Sequence, residues 1–144
     1  MAADSQIPAE VLAAYRSTIY RIELPGRRRI DLRIGRRSAA ATRLLAGLDA
    51  RCGAFLTACN PFSRVCSDAQ NAAAQRALER ELIRRRYRCL PGLGIGADPA
   101  WKPERSVFAA GLQRLAAARL AERCRQFAFV FVECGRPVEL VLPG

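Results

Sequence analysis

Two runs of strict alternation, separated by a Pro-Gly break, constrain this chain more than any other feature. Tyr20, Ile22 and Leu24 alternate with Arg21 and Glu23, and beyond Pro25-Gly26 a second run sets Ile30, Leu32 and Ile34 against Arg29, Asp31 and Arg33. Successive side chains on a strand point to opposite faces, so the pattern predicts a β-hairpin with one apolar and one charged face. A sheet that begins this way is steered toward antiparallel pairing.

The periodicity elsewhere places helices between such strands. Pro8 opens a short amphipathic helix carrying Val11, Leu12 and Tyr15, and Ser38 caps a second with Leu44, Leu45 and Leu48 as its stripe. A strand follows at Ala54 to Ala58. Ser67-x-x-Gln70 has the form of a capping box, and the helix behind it sets Asn71, Ala74, Leu78 and Leu82 on one face, with Glu81 and Arg85 at ion-pair spacing. Tyr87 to Leu90 reads as a short strand before a loop at Pro91 to Pro99, and Arg105 to Ala109 as another. A helix after Gly111 carries Leu112, Leu115, Ala116 and Leu120. Ala128 to Val132 and Val138 to Leu142 form a closing hairpin through Cys134 to Pro137. The order α-β-β-α-β-α-β-β-α-β-β predicts an α+β fold with about four helices. Its sheet is mixed, largely antiparallel, and has six to seven strands; one domain spans 1–144.

Composition excludes several classes. With 144 residues, 51% of them hydrophobic, the chain supports one core. Its longest apolar run, Phe127 to Val132, is strand length, far short of the ~18 residues of a membrane span. The opening Met1 to Glu10 has neither a basic nor an apolar leader segment, so a cytoplasmic location is expected. Six cysteines without a Cys-x-x-Cys pair, in a chain with no histidine, predict free thiols and no metal site. No cofactor is indicated.

Lys102 is the sole lysine among 24 basic residues, which leaves 23 arginines and a net charge of +11. An alanine-rich, arginine-for-lysine skew is what a GC-rich bacterial genome produces, yet the positive field itself attracts polyanions. Arg27, Arg28, Arg29 and Arg33 form one cluster and Arg84, Arg85 and Arg86 another. They stand either as a nucleic-acid surface or as solvated faces.

The segment Ala54-Phe-Leu-Thr-Ala-Cys-Asn-Pro-Phe-Ser63 is the candidate functional corner. Pro61 drives Asn60 out of helical geometry and ends the strand, delivering Asn60 and Ser63 on a turn. Thr57, Asn60, Ser63, Asn71, Glu104 and Ser106 converge if this strand neighbours the one near Arg105. The helix start at Ser67 offers backbone N–H groups to a small anionic ligand, a metabolite or nucleotide. The competing reading gives Asn60, Ser63, Ser67 and Asn71 only turn, cap and lock roles. Gly92, Gly94 and Gly96 suggest a flap with Trp101 as an aromatic wall, or a plain loop with Trp101 plugging the core. Without histidine, catalysis would fall to a carboxylate, Glu104 first; its alternative is an arginine salt bridge.

These segments resemble a bacterial family called domain of unknown function 3293. The resemblance rests on Ala54 to Ser63, Asn71, Trp101-Lys-Pro-Glu-Arg-Ser106, Ala14-Tyr-Arg-Ser-Thr-Ile-Tyr20 and Leu32-Arg-Ile-Gly35, and extends from about Val11 to about Leu140. Where the family shows Phe-Gly-Gln-Asn-Ala, this chain has Cys124-Arg-Gln-Phe-Ala128, matching at Gln126 and Ala128. The family name implies no activity.

Overall fold

The computed structural model describes residues 7–143, so the leader reading at Met1 to Gln6 lies outside the described residues. The alternating runs form β1 (Ile19–Glu23) and β2 (Arg29–Leu32), paired antiparallel with Tyr20 opposite Leu32 and Ile22 opposite Ile30. Five further strands follow: β3 (Cys52–Leu56), β4 (Arg88–Ile95), β5 (Glu104–Ala110), β6 (Phe129–Glu133) and β7 (Glu139–Val141). Together they make one sheet in the order β2-β1-β4-β5-β3-β6-β7, every neighbouring pair antiparallel. The α+β class and the element order are those expected.

Each face of the sheet carries its own core. On one, Leu78 and Leu82 of α3 (Asp68–Arg84) and Ala117, Leu120 and Ala121 of α4 (Arg114–Arg123) pack on Leu56, Val107 and Phe131. On the other, Ala41 and Leu45 of α2 (Ala39–Gly47) pack on Ile22, Ile30, Leu32, Phe108 and Val132. Full burial of a side chain such as Phe108 or Leu45 stabilises the fold by ~1.5–3 kcal/mol. The Phe108 ring fits only because β3 has a glycine there: a Cβ on Gly53 would sit 2.5 Å from it. α1 (Ala9–Ser17) buries no residue at all.

Two sequence expectations are corrected. Pro91 to Ile95 belong to β4, not to a loop, because the glycines are used for packing: a Cβ on Gly92 would lie 2.6 Å from Cε2 of Phe55, whose ring covers that bare strand. Pro91 stands one residue beyond the last β1 pair, Ile22 with Gly92. In α4, Leu115 is exposed. Leu112 is buried instead, just ahead of the helix, which turns Ala117, Leu120 and Ala121 inward. Among the described residues no helix is long and apolar enough to cross a membrane.

Candidate functional site

Antiparallel order brings the C-terminal ends of β3 and β4 and the N-terminal ends of β1, β5 and β6 to one end of the sheet. Residues far apart in the chain therefore stand in rows across it. Tyr20 pairs with Gly94, which pairs with Glu104; one step inward, Ile22, Gly92 and Ser106 form the next row. Tyr20 and Glu104 are two strand spacings apart, about 10 Å, with no side chain on Gly94 between them. The result is a slot walled by a phenol and a carboxyl.

Asn60 locks the junction behind Glu104. It adopts left-handed backbone geometry (φ 46°), which asparagine tolerates better than most residues, at the head of the 3-10 turn Pro61–Ser63. Its backbone N–H donates to Asn71 Oδ1 at 2.9 Å, and its own Oδ1 accepts from Cys66 N–H (3.0 Å) and Asn71 Nδ2 (2.9 Å). A backbone N–H can only donate, so Cys66 fixes which way the Asn60 amide points. Nδ2 is left facing Glu104, and donates to its Oε2 at 3.0 Å. Phe62 and Ser63 also have positive φ (51° and 59°), so the turn holds local strain of the kind found beside ligand sites. Phe62 is pinned by its N–H to the Arg125 carbonyl (2.7 Å) and by its ring on Phe127.

Above the slot lies a cavity of about 570 Å³. Val11, Ala14 and Tyr15 of α1 roof it; Phe55, Val130 and Leu140 supply apolar floor; Trp101 stands at its edge, 63% exposed, which excludes the core-plug alternative. Two phenols hold the roof down. Tyr20 donates its O–H to the Tyr15 carbonyl (2.6 Å), and the Tyr15 hydroxyl bonds to Ser63 Oγ (3.0 Å). Val11 and Tyr15 of the amphipathic α1 thus face a cavity and not a packed core, which is why neither is buried.

Burial pushes the Glu104 carboxyl above its ordinary pKa, and the Asn60 amide pulls it partly back. Burial likewise raises both phenols: at Tyr15 the Ser63 bond opposes the rise and the Glu104 charge adds to it, while Tyr20 is held far up. Glu104 Oε1 makes no hydrogen bond to the described residues and is not sealed from the cavity.

Of the expected site residues, Thr57, Asn60, Ser63, Trp101, Glu104 and Ser106 line the cavity, while Ser67 and Asn71 do not. Ser67 and Gln70 complete a capping box that occupies the first turn of α3. Asn71 is the lock described above. Thr57 donates to the Arg105 carbonyl (2.8 Å), and Ser106 to the Glu104 carbonyl (3.2 Å). Reading the sequence missed Gln75, which is fully buried and receives Ala58 N–H on its Oε1 (2.8 Å). It also missed Gln126, whose Nε2 donates to the Cys59 carbonyl (3.0 Å), although its position in the family motif was a signal.

The arginines collect elsewhere. Arg27 to Arg29 run from the β1–β2 turn into the start of β2 and Arg84 to Arg86 from the end of α3 toward β4, at the sheet end opposite the cavity; Arg33 stands apart, past β2. Glu81 pairs with both Arg84 and Arg85, and Asp31 accepts from Nε and Nη2 of Arg21 at 2.8 and 3.2 Å. Tyr20 and Tyr87, the aromatics nearest these arginines in sequence, turn inward and offer no stacking platform. All six cysteines are free thiols.

The family described as Protein of unknown function (DUF3293) matches residues 56–129, just over half the chain, and the protein belongs to that family. The match covers Thr57 through Gln126, including Asn60, Asn71, Trp101 and Glu104; α1 and the β1–β2 hairpin lie outside it. No curated protein and no solved structure matches the chain.

Proposed function

We propose that this protein binds a small organic molecule in the cavity between α1 and the sheet, with Glu104 as its polar anchor. The observation that carries this is the cavity: about 570 Å³, inside the ~300–1,000 Å³ usual for ligand sites, mostly apolar, with one oriented carboxyl at its base. Helix α1 supports it, since its apolar stripe has no core to cover. The anionic ligand expected from the sequence fits poorly. The α3 start that was to receive an anion is closed by its own capping box, and the carboxyl at the slot would repel one. Free thiols on all six cysteines are in keeping with a reducing, cytoplasmic setting.

The test uses Trp101, the sole tryptophan, as a reporter at the cavity edge. Its fluorescence is followed while a diverse fragment set is added to wild type and to Gly94→Val, which fills the slot. Saturable changes lost in the variant support the site. Changes that persist unaltered in Gly94→Val place binding elsewhere.

A second reading makes Glu104 an acid–base group, favoured by the burial that raises its pKa. It requires the same occupied cavity. The nucleic-acid reading keeps only the arginine end of the sheet, where carboxylates already engage part of the charge.

A further inference from the structure

The charge distribution around the cavity opposes that of the whole chain. Of 144 residues, 23 are arginine and the net charge is +11. No arginine lines the cavity, among the described residues; Glu10, Asp98 and Glu104 do, against Lys102 alone. Lys102 is engaged outward, its Nζ 3.4 Å from Asp68 Oδ2. Glu104 is therefore a partly buried carboxyl with an amide donor on one oxygen and no cation near the other. Such a group is costly to the fold unless something pairs with it. The aromatic rings of Tyr15, Tyr20, Phe55 and Trp101 surround the same space, and their faces attract cations as well as apolar surface.

We infer that the ligand is an organic cation with an apolar body, its ammonium seated in the slot over Gly94 between Glu104 and the Tyr20 ring. This rests on the cavity being a binding site. Gly94 supplies the room: a Cβ there would meet nothing closer than 3.8 Å, so space rather than backbone geometry is what the glycine provides. An ammonium brings three donors, enough to engage Oε1 and still reach a second acceptor. The apolar body lies under α1 against Phe55, Val130 and Leu140. Groups able to modulate this charge are Glu10 and Tyr15 from α1, Tyr20 from β1, and Asp98 and Lys102 from the β4–β5 loop.

The experiment compares three probes of one shape and different charge, 4-phenylbutylammonium, 4-phenylbutan-1-ol and 4-phenylbutyrate, by calorimetry and Trp101 fluorescence. The cation should bind at least about tenfold more tightly than the alcohol, the worth of one charge-assisted hydrogen bond, and the anion should not bind measurably. Glu104→Gln should bring the cation down to the alcohol, and Glu104→Asp should keep the preference at reduced affinity. Equal binding of the three probes, or preference for the anion, with all binding lost in Gly94→Val, would overturn the cationic assignment and leave the cavity site standing. If none of the three binds while fragments from the wider set do, the cationic assignment again falls alone. Silence from both sets removes the site with it.

Discussion

Asn60 donates its Nδ2–H to Glu104 Oε2 at 3.0 Å, joining residues 44 apart in the chain, and the amide cannot turn over because Cys66 N–H holds its oxygen. One hydrogen bond thereby connects a strained turn after β3 to the first residue of β5. It gives Glu104 a donor that favours the ionised form, in a place where burial favours the neutral one.

Replacing that donor by an acceptor tests the connection. Asn60→Asp keeps an oxygen for Cys66 N–H but sets a second carboxylate against Glu104, so the pair should share a proton and one apparent pKa should rise further. A carboxyl whose folded pKa exceeds its unfolded value loses stability as pH rises through that window, so this variant should be markedly less stable at pH 8 than at pH 5. Urea denaturation at the two pH values measures it. Asn60→Ala, which strands Cys66 N–H and frees the Asn71 amide, should cost about 2–3 kcal/mol.

Glu104→Gln should remove a pH-dependent cost. Because burial raises the Glu104 pKa in the folded state, ionising it above that pKa opposes folding, whereas below the unfolded value both states are protonated and the term vanishes. Thermal melts should show the glutamine variant gaining on wild type from pH 4 to pH 8. A gain that is constant across the range would mean that burial does not shift this carboxyl.

Gly92 and Gly94 should respond in opposite ways. A Cβ on Gly92 strikes the Phe55 ring at 2.6 Å, so Gly92→Ala should destabilise by ~1–3 kcal/mol through overpacking. A Cβ on Gly94 meets only ordinary contacts at 3.8 and 3.9 Å, so Gly94→Val should fold normally while obstructing the slot. Circular dichroism melts of the two variants decide this. Equal loss of stability in both would show that Gly94 is needed for the strand rather than for space.

The arginine cluster at Arg27, Arg28 and Arg29 lies at the sheet end opposite the cavity, so replacing all three with glutamine should leave ligand binding within about twofold, the change expected of a remote charge under screening. Affinity for generic single-stranded RNA should be weak in wild type and vanish near physiological salt, with a shallower salt slope in the triple variant. Tight RNA binding that persists at that salt would move the main function to the arginine end.

Much of the fold was legible because it is local. Alternation announced the β1–β2 hairpin, and Ser67-x-x-Gln70 announced the start of α3, each needing only neighbours in sequence. The glycines of β4 were misread because glycine usually breaks strands; only the position of Phe55, two strands away, gives Gly92 its reason. The amphipathic period of α1 was legible, but not that Val11 and Tyr15 face a cavity, since a cavity-facing stripe has the same period as a buried one. Gln75 carried no signal in the sequence, yet it hydrogen-bonds Thr57 and Ala58 just past β3 and Glu79 one turn along α3. The set Asn60, Ser63 and Glu104 could be listed from sequence, but their meeting depends on β5 lying beside β3, which is a property of sheet order and not of any segment.

Amide chemical-shift mapping with 4-phenylbutylammonium tests the cavity most directly, because it reports where a molecule binds without assuming an activity. Shifts should concentrate at Tyr15, Tyr20, Asn60, Gly94 and Glu104, saturate together, and disappear in Gly94→Val. Shifts confined to Arg27 to Arg29 and Arg84 to Arg88, or surviving unchanged in Gly94→Val, would contradict a binding site between α1 and the sheet.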